Sequence, residues 1–404
     1  MKTVLISTVW PEPTSSAAGV RTLQLLLFCQ RAGFDTLVIS PSQSNSFRTA
    51  LDEQGFKTLQ IPANDSSFDR AILEFKPELV IFDRFLMEEQ FGARVQENAP
   101  EALRVIDTQD LHFLRKSREQ SQHLQEKQRW LEPETQRELA SIYRSDHTWL
   151  LSSYELGLLK TEFKVDPSLI STLGFSYREQ YLPWSVETQH CAWIGNFRHA
   201  PNYDSVMWLA RSIWPLVRAK LPKAELHIYG AYPPADVMKL NAPTQGLVVH
   251  GPAQDVTDTL KQYRLSLAPL RFGAGIKGKI AESWKAGVPV VTTALGAEGM
   301  CMSDGSFGGW LAASSDDQSF AEAVVSAYQS DAGRESAVKT GQEILREQFS
   351  FEKNYSKFVH TVNDLKLNRE RLRSERWIQK ILWQQQMRST EYFSRWIELK
   401  NSKN

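Results

Sequence analysis

The chain alternates short apolar runs with longer amphipathic stretches, an alternation typical of βαβ units. A strand predicted over Val4–Val9 precedes an amphipathic helix over Val20–Gly33, and a second strand follows over Thr36–Ser40. Because the later runs are apolar without interruption, we expect a parallel sheet covered by helices on both faces. The remaining strands of this first series are predicted at 79–82, 104–106 and 148–151. A polar helical stretch from about His112 to Arg144, broken at Pro133, lies between the last two.

A second series of the same kind begins near Cys191. Its predicted strands are 191–194, 225–229, 247–250, 265–270 and 288–292. Residues 172–190 follow neither period and are rich in turn residues, so the linker is predicted there. The fold class is therefore α/β, with two Rossmann-like, doubly wound domains over 1–172 and 186–350. We expect these domains to face each other across a cleft and to hold ligands at the carboxyl ends of their strands.

Residues 351–404 form a third segment, which is predicted to be helical almost to its end. The whole chain is neutral, with 47 basic and 47 acidic residues, but 12 basic and 6 acidic residues fall in this segment. Its first part is expected to cross back to the N-terminal domain. The basic, aromatic extension at 366–397 suits three roles: packing within the chain, contact with a second copy, or contact with an anionic membrane surface.

Composition excludes several classes of protein. A net charge of zero disfavours a nucleic-acid binder that relies on bulk basicity. No apolar run approaches the ~20 residues of a membrane-spanning helix. The three cysteines are far apart and lack CxxC spacing, which predicts neither a disulfide framework nor a cysteine zinc site. We therefore expect a cytoplasmic protein, with peripheral contact at the inner face of a membrane as the alternative.

The most informative stretch runs from Ala268 to Glu282 and combines a strand end, a glycine-rich turn and the start of a helix. Glycine lets the backbone approach an anion closely, and a helix N-terminus offers unpaired amides. These features predict a diphosphate site. The candidate residues of this site are Gly273, Gly275, Lys277, Lys279 and, for the hydroxyls of a ribose, Glu282. A plain turn would leave the lysines unexplained, and a dinucleotide fingerprint belongs after the first strand of a domain, whereas this turn lies late in its domain.

A second candidate site follows the strand at 104–106. Asp110 and His112 lie where doubly wound folds place their ligands, and either side chain could take a proton from a substrate hydroxyl. The alternatives are that Asp107 or Asp110 caps the next helix, or that the two aspartates bind a metal. The remaining candidates for phosphate or sugar contact, each with a surface or structural role as its alternative, are Gly19, Arg21, Arg198 and Glu298.

The run from Gly273 to Met300, GAGIKGKIAESWKAGVPVVTTALGAEGM, resembles the donor-binding segment of GT-B glycosyltransferases of the family-4 type, glycosyltransferases group 1. Further similarity lies in Trp193–Phe197 with Pro201-Asn202, in Ser145-Asp146-His147 with Ser152–Glu155, and in the glycine-bearing loop Pro11–Arg21. Together these motifs span about residues 1–330.

The resemblance implies transfer of a sugar from a nucleotide-sugar, with retention of configuration and without a metal ion or other cofactor. It also implies that Lys277 and Glu282 bind the donor and that Lys277 stabilises the leaving diphosphate. No motif indicates whether the acceptor is a glycan, a lipid-linked sugar or a protein. Many members have two glutamates separated by seven residues, and Ala274 stands at the first of these positions. A catalytically inactive scaffold subunit and a sugar-nucleotide epimerase are therefore the alternatives, with a dehydrogenase the weakest.

Overall fold

The computed structural model describes residues 1–120, 130 and 132–401. They form two compact units, and each is built on one parallel sheet. The N-terminal unit contains residues 1–12, 18–174 and 353–404, and the C-terminal unit contains residues 13–17 and 175–352. The predicted fold class, with two Rossmann-like domains and a helical C-terminal segment, is confirmed.

The N-terminal unit has a seven-stranded sheet in the order β3-β2-β1-β4-β5-β6-β7. The strands are β1 (Lys2–Ile6), β2 (Asp35–Ser40), β3 (Lys57–Gln60), β4 (Leu79–Asp83), β5 (Leu103–Asp107), β6 (His147–Leu150) and β7 (Ile170–Thr172). Every residue of β4 and β5 is buried, as expected for central strands covered on both faces. A crossover from β3 on one side of β1 to β4 on its other side makes β1 and β4 the topological switch point of this sheet.

Helices cover both faces of this sheet. They are α1 (Ala17–Arg31), α2 (Ser46–Glu53), α3 (Ser67–Phe75), α4 (Arg84–Asn98), α5 (His112–Gln120), α6 (Pro133–Arg144) and α7 (Ser153–Thr161). The helical stretch predicted from His112 to Arg144 contains α5 and α6, while its residues 121–129 and 131 lie outside the described residues. Proline at the first position of α6 fits a helix start, because the amide it lacks would be unpaired there.

The C-terminal unit has a six-stranded sheet in the order β10-β9-β8-β11-β12-β13. The strands are β8 (Gln189–Ile194), β9 (Leu226–Tyr229), β10 (Leu247–Gly251), β11 (Tyr263–Ala268), β12 (Val290–Thr292) and β13 (Gly309–Leu311). Its helices are α8 (Ala200–Trp208), α9 (Trp214–Lys220), α10 (Ala235–Met238), α11 (Val256–Leu260), α12 (Gly278–Lys285), α13 (Ala294–Ala297), α14 (Asp317–Gln329) and α15 (Asp331–Gln348). A π-helical turn, Leu209–Ile213, joins α8 to α9 just before Pro215. The missing amide of that proline accounts for the irregularity.

The chain ends in two long helices, α16 (Phe351–Glu375) and α17 (Trp377–Asn401). Within the N-terminal unit, α17 packs against α6 and α4. Gln379 is buried in this contact and donates hydrogen bonds to the carbonyls of Arg144 and Ser145, at 3.1 Å each. This face of α17 therefore packs within the N-terminal unit. Among the described residues, none of the helices combines the length and apolarity that crossing a bilayer demands.

Candidate functional site

The glycine-rich turn lies between β11 and α12, at the carboxyl end of a central strand. Gly273 has a φ of 140° and Gly275 a φ of 66°, values that side chains rarely permit. The turn directs the chain into α12 with Lys277 as the residue before the first helical position. Lys277 is buried, and its Nζ donates a hydrogen bond of 2.7 Å to the Gly275 carbonyl. The ammonium group is thereby held inside the turn, beside the N-terminal amides of α12.

Lys279 is the second cation of this turn. Its Nζ donates to Asn202 Oδ1 at 2.8 Å and lies 4.7 Å from the centre of the Trp193 ring. Burial lowers the pKa of Lys279 to about 7. Asn202 in turn donates from its Nδ2 to the Asn196 carbonyl at 3.0 Å, which links α8 and the loop after β8 to α12. An anion bound at this helix N-terminus would restore the full charge of Lys279.

Glu282 lies one helical turn further along α12. It is in contact with Lys285, whose Nζ is 3.6 Å from Glu282 Oε2, and with the hydroxyl of Tyr177. Burial raises the pKa of Glu282 above its usual value, and the Lys285 ammonium opposes this shift. The structure thus places Lys277, Lys279 and Glu282 together in the N-terminal half of α12 and its cap. Tyr177 was missed by sequence reasoning because it lies in the linker, 105 positions from Glu282.

The loops after the neighbouring strands β8 and β12 end at the same edge of the sheet. Thr293 donates from its Oγ1 to the Leu270 carbonyl at 2.6 Å and caps α13, which ties the β12 loop to the β11 turn. Glu298 follows α13 directly and is partly buried. In the β8 loop the guanidinium of Arg198 stacks on Tyr232 at 3.5 Å from its ring centre. Arg198 and Glu298 therefore both lie on the edge that carries the glycine-rich turn.

In the N-terminal unit, Arg21 on α1 is completely buried. Its Nη2 is 2.7 Å from Asp107 Oδ1, and its Nη1 donates to the Gly174 carbonyl at 2.7 Å. This buried ion pair favours a structural role over the predicted phosphate contact, because the guanidinium is already committed on two sides. Burial raises the pKa of Asp107, and Arg21 opposes that shift. Gly19 is also structural: a Cβ there would lie 2.4 Å from the backbone of Glu12.

A polar cluster at the β1, β4 and β5 strand ends was missed by sequence reasoning. Asp83 ends β4 in register with Asp107, and it accepts hydrogen bonds from Ser7, Thr8 and the Gln109 side chain at 3.1 to 3.3 Å. The two strands end in the similar runs LVIFD and LRVID, and this repetition was the available signal.

Asp110 and His112 stand at the start of α5. Arg115 Nη1 forms an ion pair with Asp110 Oδ2, and His112 Nε2 lies 3.5 Å from Asp110 Oδ1. The His112 ring packs edge-on to Phe85 at 5.3 Å. Burial lowers the pKa of His112 to about 4, although Asp110 opposes this shift. A neutral imidazole of such low basicity suits a hydrogen bond to a hydroxyl better than proton abstraction at neutral pH.

The N-terminal amides of α5 have other partners than the predicted aspartate cap. Glu155 accepts a hydrogen bond from the Leu111 amide at 2.9 Å, and Glu138 accepts one from the Phe113 amide at 3.0 Å. Glu155 also accepts a hydrogen bond from the hydroxyl of Ser152, the residue that caps α7. Burial raises the pKa of Glu138 to about 8. Asp110 contacts Arg115 and His112. Asp107, the other aspartate of the predicted metal pair, forms its ion pair with Arg21.

One family model matches part of the chain. The family model "Glycosyl transferases group 1" matches residues 188–330, which lie in the C-terminal unit. No curated protein matches the sequence significantly.

Solved structures resemble the chain over most of its length. Sucrose-phosphate synthase from Thermosynechococcus elongatus has a TM-score of 0.68 and 14% identity over 90% of this chain and 98% of its own. HepE from Anabaena, solved with UDP and glucose, has a TM-score of 0.69 and 13% identity over 90% of this chain and all of its own, 100%. WaaG, a glycosyltransferase involved in lipopolysaccharide biosynthesis, has a TM-score of 0.60 and 12% identity over 87% and 98%. The shared fold and the family match confirm the predicted resemblance to group 1 glycosyltransferases and the predicted enzyme class.

Proposed function

We propose that this group 1 glycosyltransferase takes a sugar from a nucleotide-sugar donor whose diphosphate binds at the glycine-rich turn before α12. The observation that carries this proposal is the buried Lys277 at the N-terminus of α12, with Glu282 one turn away. The amides, the lysine and the carboxylate match the diphosphate and ribose of a nucleoside diphosphate sugar. HepE, which shares the fold, was solved with UDP-glucose. A uridine nucleotide is therefore the first donor to test.

In this reaction the developing negative charge is on the leaving diphosphate. Lys277 and the α12 amides would stabilise this charge in the transition state. Electrostatic stabilisation of this kind is usually the largest single contribution to catalysis. The resemblance to the family further supports transfer with retention of configuration and without a metal ion. On the acceptor side we assign His112 to a hydroxyl as a neutral hydrogen-bonding partner, beside Asp110. Glu298, on the edge that carries the turn, is assigned to the sugar because Ala274 offers no carboxylate.

A panel of nucleotide sugars tests the donor proposal directly. The expected result is that one uridine diphosphate sugar raises the Tm of the full chain, since a ligand of the folded state stabilises it, while NAD leaves the Tm unchanged. Slow release of free sugar with retained anomeric configuration, unaffected by EDTA, is expected from the same mixture. Isomerisation of the donor without an acceptor would instead identify an epimerase. Binding with neither hydrolysis nor transfer to any glycan or lipid-linked acceptor would identify a scaffold subunit.

We further propose that the outer face of α17 lies on an anionic membrane surface. Five large side chains on this face, namely Trp377, Ile381, Tyr392, Trp396 and Leu399, are 55 to 69% exposed. Lys380 Nζ lies 4.5 Å from the centre of the Trp377 ring, and Lys400 Nζ lies 5.3 Å from that of Trp396. Aromatic rings flanked by lysines are typical of interfacial helices, whose cations reach the lipid phosphates while the rings enter the acyl boundary. Of the acceptor classes, a lipid-linked sugar fits this surface best.

Vesicle sedimentation tests this surface. The full chain is expected to sediment with vesicles that contain phosphatidylglycerol and to stay in solution with phosphatidylcholine alone. The double substitution Trp377→Gln and Trp396→Gln should abolish sedimentation, while Leu73→Gln, which changes a 51% exposed leucine on α3, should not. A dimer that is lost in the double variant, without vesicle binding by the parent chain, would overturn the membrane proposal in favour of self-association.

A further inference from the structure

Three neighbouring strands of the C-terminal unit each carry a histidine, and the three rings lie side by side. They are His190 on β8, His227 on β9 and His250 on β10. The His227 ring is 5.5 Å from that of His190 and stacks on that of His250 at 5.1 Å. Glu225 precedes β9 by one residue and adds a carboxylate. The proposed sugar transfer assigns no role to these four side chains.

The cluster lies at a distance from the donor turn along the strands. His190 and Glu225 stand at the amino ends of β8 and β9, whereas the glycine-rich turn follows the carboxyl end of β11. Because the strands are parallel, these are opposite edges of the sheet. A ligand at this cluster would therefore be separate from the nucleotide site.

The ligand atoms are already close together. One atom each from His190, Glu225 and His227 lies within 4.8 Å of the other two. His227 Nε2 is 3.1 Å and His190 Nε2 is 3.8 Å from the same Glu225 Oε2. The three side chains are 15 to 39% exposed, so an ion can reach them from solvent and keep water ligands. Among the described residues, this is the one group of at least three histidine, cysteine or acidic side chains with such spacing.

His250 completes the arrangement by orienting His227. Its Nε2 is 2.9 Å from His227 Nδ1, so His227 can donate its Nδ1 proton to His250 while Nε2 serves as a ligand. A hydrogen-bonded partner behind a ligating imidazole fixes its tautomer and raises its affinity for metal.

We propose that His190, Glu225 and His227 form a binding site for Zn²⁺ or a similar first-row divalent ion. Two imidazole nitrogens and a carboxylate oxygen are a common zinc ligand set, and water takes the open position. His190 Nδ1 accepts a hydrogen bond of 3.2 Å from the Glu225 amide. Coordination through its Nε2 moves the ring proton to Nδ1 and opens that contact, so the site binds less tightly than a closed structural zinc site. The ion would clamp the start of β8, directly after the linker, to the start of β9.

Titration of the full chain, first treated with EDTA, tests the site. The expected result is saturable binding of one Zn²⁺, a Zn²⁺-dependent rise in Tm, and no response to Mg²⁺. Co²⁺ should give the visible absorption of a low-symmetry site containing nitrogen ligands. His227→Ala and Glu225→Gln should each lower the Zn²⁺ affinity at least tenfold, and His250→Phe should lower it about tenfold through His227.

His360→Ala serves as the matched control, because it removes an exposed histidine on α16. The Zn²⁺ affinity of this variant should equal that of the parent chain. Glu225→Gln keeps the shape of the side chain, and circular dichroism of each variant separates loss of a ligand from loss of fold. The proposal is overturned if the parent chain shows no saturable Zn²⁺ binding, or if folded His227→Ala and Glu225→Gln bind as tightly as the parent.

Discussion

Burial shifts the pKa values of Lys279 and His112 well below those of the same side chains in water. The pKa of Lys279 falls to about 7 and that of His112 to about 4, in both cases because the charged form is poorly solvated. Near neutral pH, His112 is therefore uncharged and Lys279 is divided between its two forms. The protonated fraction of Lys279 depends on whether an anion is bound at the glycine-rich turn, because a diphosphate there would favour the ammonium form.

Donor affinity should accordingly depend on pH through Lys279. Below pH 7 the lysine is charged in both the free and the bound protein, so affinity is constant there. Above pH 7 the free protein must take up a proton on binding, and affinity should fall by up to about tenfold per pH unit. Titration with the stabilising nucleotide sugar at pH 7, 8 and 9 measures this slope. Lys279→Arg, which stays charged, should give a flat profile, and an equally flat profile in the parent chain would contradict the assignment.

The predicted residues of the C-terminal turn lie together in the structure, whereas some predicted for the N-terminal unit have partners far along the chain. Lys277, Lys279 and Glu282 are neighbours in sequence, so a turn and one helix bring them together. Arg21 meets Asp107 across 86 positions, and Glu138 reaches the start of α5 across 25. Such partners depend on helix packing, and local sequence does not encode them. An arginine in a glycine-bearing loop therefore resembled a phosphate ligand although its partner was a buried carboxylate.

At the scale of elements, arginines hold the junction of α16 and α17 to the N-terminal unit. Arg373 donates to both Asp146 oxygens, at 2.8 and 2.6 Å, and to the carbonyls of Pro100 and Ala102. Arg376 donates to the Asp146 carbonyl at 2.6 Å. Although burial would raise it, the pKa of Asp146 falls to about 2 because Arg104 and Arg373 stabilise the carboxylate. Its stabilising contribution is therefore complete above its usual pKa and is lost as the pH falls through about 2.

Replacing Arg373 should loosen α17. Arg373→Met removes the partner of a nearly buried carboxylate and should cost about 2 kcal/mol, which corresponds to roughly thirtyfold faster hydrogen exchange of the α17 amides. Arg371→Met is the control, because Arg371 pairs only at the surface with Glu375, where both side chains are 59% exposed. That variant should change exchange by less than about threefold. Equal effects of the two substitutions would show that the Asp146 cluster does not anchor the helix.

The predicted strands were those with strong apolar runs. Three others, β3, β7 and β13, have only three or four residues each. β3 and β13 are edge strands in which no residue is fully buried, so neither carries a distinctive apolar pattern. Their positions are set by pairing with β2 and β12. The central strands and the edge strand β10 could therefore be predicted from sequence, whereas the edge strands β3, β7 and β13 required the tertiary structure.

For the whole molecule, the neutral total charge conceals a division. The last 54 residues hold twice as many basic as acidic side chains, and several of those arginines bind acidic groups of the N-terminal unit. Much of the positive charge of this segment is thus paired within the N-terminal unit. The exposed aromatic face of α17 is therefore the surface that a partner would contact. The family match lies in the C-terminal unit, which carries the proposed donor site.

Lys277 is the residue that we propose stabilises the diphosphate of a nucleotide-sugar donor. The most direct measurement is the rate of sugar release or transfer from the stabilising donor by Lys277→Ala and Lys277→Gln, with the Tm of each variant measured alongside. Lys339→Ala, on α15, is the control, because that lysine is 69% exposed. We predict at least a hundredfold loss of turnover in both Lys277 variants, unchanged turnover in the control, and a Tm in each that still reports a folded chain. Turnover within twofold of the parent in folded Lys277 variants would contradict the account.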